Sequence, residues 1–68
     1  MDDQIISKRI REIRKLRGLS QAKLARMIGR DRTQVTRYEQ GAGIKADVLY
    51  AIADALNVKV DDLFKKAS

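Results

Sequence analysis

The chain has 68 residues, with 15 Lys and Arg against 9 Asp and Glu for a formal charge of +6, and it lacks both cysteine and histidine. That length predicts one small domain, residues 1–68, with a thin core; disulfides and cysteine-built zinc sites are excluded, and the commonest general base is missing. Charge is lopsided, since residues 1–37 hold 11 basic and 4 acidic side chains while residues 38–68 hold 4 and 5, a pattern that by itself suits equally a polyanion met by one side of the molecule and a solvated surface that keeps a small protein soluble.

The first element spans about Asp3 to Arg17. Ile6, Ile10 and Ile13 recur at i, i+4 and i+7, one inward stripe on a strongly basic helix. Asp2 and Asp3 stand where a cap and the helix dipole favour acids. Lys8, Arg9, Arg11, Lys15 and Arg17 read as solvated surface, and Ile5 and Leu16 lie off the stripe. A second helix opens after Ser20, a good N-cap, and runs to Ile28 with Leu24, Ala25 and Ile28 inward. The third follows Asp31, which with Gln34 forms a D-x-x-Q cap pair, and covers about residues 32–40 before Gly41. The fourth spans about Ala46 to Leu56, with an inner stripe of Ala46, Leu49, Tyr50, Ala53 and Leu56 widened by Val48 and Ile52. Asn57 suits the left-handed position that ends it. A fifth runs from about Val60 to Lys66, with Asp61 and Asp62 in its first turn and Lys65 and Lys66 in its last; Val60, Leu63 and Phe64 close the core. Gly18, Gly29 and Gly41 each follow a helical segment, where a left-handed C′ residue is expected. Strand alternation is absent from the sequence, so the predicted fold is all-α.

The third helix, inside DRTQVTRYEQG, has only Val35 and Tyr38 as apolar residues. At roughly 100° per residue, Tyr38 and Glu39 fall beside Val35 on the inner side, while Thr33, Arg37 and Gln40 take the opposite face with Thr36 next to them. Arg32 and Gln34 flank the first turn. Arginine, threonine and glutamine make the outer face, and no carboxylate interrupts it. Ala25 allows close helix approach, Gly29 turns the chain, and Val35 plugs the angle, so residues 20–40 read as a helix-turn-helix whose second helix enters the DNA major groove.

Residues 6–64 resemble the Xre family of phage repressor and Cro proteins and their bacterial relatives, through KRIREIRKLRGLSQAKLA, IGRDRTQVTRYEQG and LYAIADALNVKVDDLF. The resemblance implies a compact, lambda-repressor-like bundle of five helices. It implies base-edge contacts from Arg32, Thr33 and Arg37, a Gln21 that bonds the DNA backbone and reaches a base, and Gln34 and Thr36 beside phosphate or base. Arg14 and Glu39 match a buried ion pair tying the first helix to the end of the third. Ser20, at a helix N-terminus, adds a phosphate contact. Three positions depart from the pattern. The connection after Gly41 is about one residue shorter than usual, with Ile44 where proline is common and Lys45 as the candidate phosphate contact. Arg30 replaces an apolar turn residue and offers another phosphate contact. Lys59 stands where a serine cap is frequent.

One recognition helix covers few base pairs, so a homodimer on a palindromic operator is the expected form, with helices four and five and Leu16 as interface candidates. The reading is a small cytoplasmic transcriptional repressor that partners double-stranded DNA and needs no cofactor or metal. The N-terminal MDDQIIS lacks the marks of a secretory signal, and no apolar run reaches the roughly 18 residues of a membrane span. Without His, Cys, a phosphate loop or paired carboxylates, an enzyme is the poorest hypothesis. The competing reading is an antitoxin or adaptor module whose main partner is another protein.

Overall fold

Each of the first four helices ends in the same way, because each is followed by a residue with left-handed backbone. The computed structural model describes residues 2–65, with side chains from Gln4 onward, so the cap reading of Asp2 and Asp3 and the Lys66 end of the fifth helix lie outside the described residues. The helices are α1 (Asp2–Leu16), α2 (Gln21–Ile28), α3 (Arg32–Glu39), α4 (Ala46–Leu56) and α5 (Val60–Leu63). Gly18, Gly29 and Gly41 have φ of 70°, 70° and 104°, and Asn57 has 59°. At Gly29 the amide of Arg30 reaches back to Ala25 O at 2.8 Å. That bond closes the last turn of α2 and reverses the chain.

The core is one cluster. Ile6, Ile10 and Ile13 of α1 meet Leu24 and Ala25 of α2, Val35 of α3, the inner side of α4, and Leu63 of α5. Four departures from the sequence reading have simple causes. On α4 the buried residues are Val48, Leu49, Ile52, Ala53 and Leu56, while Ala46 is exposed and Tyr50 is 65% exposed. Nearly every side of α4 is apolar, so its period does not choose a face. Turning the branched aliphatics inward leaves the tyrosine hydroxyl in water without a buried partner. α5 stops at Leu63, and Phe64 is half-exposed, leaving Leu63 and the partly buried Val60 as the residues that close this end. Asp31 is the N-cap residue of α3 yet its side chain makes no cap bond, so the expected pairing with Gln34 is not formed. Arg9 and Arg17 are also more than solvated surface: their Nε groups donate to Asp62 O and Leu56 O, both at 2.9 Å, and so tether α1 to the ends of α5 and α4.

α3 is the element least able to stand alone. It has eight residues, RTQVTRYE, with three β-branched residues among them and one buried side chain, Val35. Isolated helices below about 12 residues are marginal in water, and β-branched residues lower helix propensity further. Its geometry therefore depends on what holds it from outside.

Candidate nucleic-acid interface

Three neighbours hold α3 by its C-terminal half. Glu39 is 4% exposed and receives a forked pair from Arg14, Nε to Oε2 at 2.6 Å and Nη2 to Oε1 at 3.1 Å. Arg14, itself 9% exposed, spends Nη1 on Leu19 O at 2.7 Å, which also fixes the link into α2. A carboxylate and a guanidinium this deeply buried are tolerable because their bonds are filled. Among the described residues no buried side-chain polar atom lacks a partner. The second holder is Gln21, the first residue of α2, whose amide N–H donates to Glu39 Oε1 at 3.1 Å. Its Oε1 accepts from the Thr36 hydroxyl at 2.9 Å. The third is Ser7, buried in α1, whose hydroxyl donates to Tyr38 O at 2.5 Å.

Ser7 escaped the sequence reading. Its signal was a small polar residue next to Ile6 and three before Ile10, on the inward side of an otherwise isoleucine-lined stripe. Such a group is buried only when it has an acceptor to serve, and here the last turn of α3 supplies one.

The opposite side of α3 is open. Arg32, Thr33, Gln34, Arg37 and Gln40 are exposed, while Thr36 is half-buried and turned to Gln21. Tyr38 is half-buried and packs on the core. α3 itself presents no free carboxylate, since Glu39 is consumed inside, although uncapped Asp31 flanks the N-terminal end of the face. Ser20 caps α2 by accepting the Lys23 amide at 3.0 Å, which leaves its hydroxyl proton available. Gln21 retains one N–H after its two internal bonds. Arg30, in the α2–α3 turn, and Lys45, the N-cap residue of α4, lie along one edge of the face, lining a cleft with Arg37 and Asp47. The structure thus brings Arg30, Gln34, Arg37 and Lys45 to one cleft, and joins Gln21 and Thr36 to the Arg14–Glu39 pair behind α3.

The helix-turn-helix family model matches residues 10–63, from the middle of α1 to the end of α5. The chain belongs to the Xre-type helix-turn-helix family. Among solved structures this helix-turn-helix protein is similar to the restriction-modification controller protein C.AhdI from Aeromonas hydrophila. The two share 33% identity across 91% of this chain and 96% of that one, with a TM-score of 0.87. It is also similar to a hypothetical transcription factor, NHTF, from Neisseria, at 30% identity over 97% of this chain and 77% of that one, with a TM-score of 0.91. No protein of curated function matches significantly. The family is one of DNA-binding transcription regulators. Among the described residues no helix is long and apolar enough to cross a membrane.

Proposed function

We propose that the protein is a sequence-specific double-stranded DNA-binding regulator, a repressor that sits as a homodimer on a palindromic operator. The observation that carries this reading is the division of α3: its inner side is bonded to Ser7, Arg14 and Gln21, and its outer side offers Arg32, Thr33 and Arg37 to solvent. A helix already fixed on its inner side loses little backbone freedom on binding, which aids readout of base edges by its outer side chains. An arginine fork matches guanine O6 and N7, and threonine offers a methyl to thymine and a hydroxyl to a base. Gln21 reaches the duplex with its remaining N–H. Ser20, Gln34, Arg30 and Lys45 serve phosphates, which fix register without reading sequence. Thr36 is a different case. Its single hydroxyl proton already has Gln21 Oε1 and Arg32 O as acceptors, at 2.9 and 3.1 Å. A phosphate only accepts, so Thr36 serves one by exchanging that partner.

Two copies follow from size. An eight-residue α3 is about 12 Å long, which spans roughly four base pairs at about 3.4 Å each. Two-fold pairing doubles the sequence read. One patch suits the contact: Tyr50, Val58 and Val60 are grouped there with Lys59, Asp54 and Asp61, so apolar surface lies beside charges of both signs, the composition a self-complementary contact needs. A controller role agrees with the description of C.AhdI as a regulator of restriction-modification.

Selection of bound sites from random duplexes at physiological salt tests the reading. The expected product is a palindromic consensus whose half-sites lie about one helical turn apart, and a reporter promoter overlapping that site should fall silent. Binding without sequence preference would sink the reading and favour an adaptor whose partner is a protein.

A further inference from the structure

A cleft of about 380 Å³ runs between the α2–α3 turn, α3 and the start of α4, and Arg30, Gln34, Arg37 and Lys45 line it. Arg30 and Lys45 stand there beside the base-reading Arg37 and form a phosphate-attracting edge. Asp47 lines the same cleft. Its Oδ2 lies 4.0 Å from Arg30 Nη2, with the two side chains 75% and 40% exposed. The dipole of α4 favours an acid in its first turn, but the dipole would be served equally by an acid facing away from the cleft. This one faces the arginine.

We infer that Asp47 limits DNA affinity by competing with a backbone phosphate for Arg30. The inference rests on the DNA-binding reading above and adds to it a residue that sets the sequence-independent part of the affinity. A separation of 4.0 Å is too long for a hydrogen bond. The pair is an exposed electrostatic contact of small worth, one that an approaching phosphate displaces. Arg30 therefore reaches its phosphate only by giving up Asp47, and the freed carboxylate offsets part of the charge that Arg30 brings to that edge. Binding to random DNA is almost wholly electrostatic and loses a factor in log affinity of about 0.9 per neutralised phosphate for each log unit of salt. A carboxylate here holds that term down and leaves Arg32, Thr33 and Arg37, which lie outside its pairing, to discriminate between sequences. Asp47 is a positioning residue: it acts through Arg30 and touches no base.

Fluorescence anisotropy across a salt series, on a random duplex and on the selected site, tests this with wild type, Asp47→Asn, Arg30→Ala and the double variant. Asp47→Asn should bind the random duplex roughly two- to fivefold tighter at low salt, with the slope of log affinity against log salt steeper by about one. In the Arg30→Ala background the same substitution should bring a clearly smaller gain, the part due to direct repulsion between Asp47 and phosphate. Unchanged affinity and slope for Asp47→Asn would overturn the inference and leave the DNA reading standing. A gain equally large without Arg30 would overturn the competition. Wild-type protein that binds no duplex at all would remove both. Thermal melts of each variant check that affinity changes do not arise from unfolding, since both side chains are exposed.

Discussion

The Thr36 hydroxyl donates to Gln21 Oε1 across 2.9 Å, so two side chains that both read from sequence as DNA contacts are bonded to each other at the crossing of α2 and α3. Their contributions to binding should therefore be coupled. In a double-mutant cycle of Gln21→Ala and Thr36→Val, scored by affinity for the selected site, the coupling should be at least about 0.5 kcal/mol. Additive effects would mean that each side chain acts alone.

Arg37 is exposed on the outer face of α3. Arg37→Ala should cost about 1–3 kcal/mol on the selected site and relax preference at one base position. On random duplex the loss should be much smaller. Equal losses on both substrates would demote Arg37 to a phosphate contact.

The Arg14–Glu39 pair is the anchor of α3 and is nearly closed to solvent. Removing one partner strands a buried charge. Glu39→Ala should lower stability by about 3 kcal/mol or more in urea unfolding. The double variant Arg14→Met with Glu39→Leu should recover most of that stability, because burying two apolar groups removes the desolvation cost along with the attraction. Operator binding should stay weak in the double variant, since Gln21 loses its acceptor on Glu39.

Acid should loosen the start of α5. The Lys65 side chain, 3.0 Å from Asp62 Oδ1, and then the Lys59 amide, 3.2 Å from Oδ2, hold the Asp62 carboxyl below its ordinary value of 3.8. A carboxyl depressed in the folded state contributes stabilisation that is complete above the unfolded value and disappears as pH falls through the folded one. Hydrogen exchange at the Lys59 amide should therefore be protected above pH 3.8 and lose protection on further acidification. In Asp62→Asn that pH response should vanish; an unchanged profile would place the titrating group elsewhere.

If the Tyr50 patch joins two copies, Tyr50→Glu should shift sedimentation toward monomer while the helical signal stays native, because Tyr50 is 65% exposed in the single chain. Operator affinity should drop with the dimer. A persistent dimer would move the interface to another face, such as that of Leu16, which is exposed at the end of α1.

The positions and stops of the first four helices, and the division of α3 into an inner and an outer side, were readable from the chain because their causes are local. Ser20 before α2, Gly29 and Asn57 after α2 and α4, and the isoleucine stripe of α1 act within a few residues, and helical period then separates Val35 from Arg37 without reference to any other element. The inward face of α4 was not readable, since Val48, Leu49, Tyr50, Ile52 and Ala53 are all apolar at successive angles; packing against α2 and α5 chose among them. Nor could local pattern show that Ser7 serves Tyr38 O, that Gln21 joins Thr36 to Glu39, or that Asp47 stands opposite Arg30. These pairs are separated by 31, 18, 15 and 17 positions in the chain. Hydrogen bonds and ion pairs of that kind depend on distances of a few ångströms, and only the docking of one helix on another sets them.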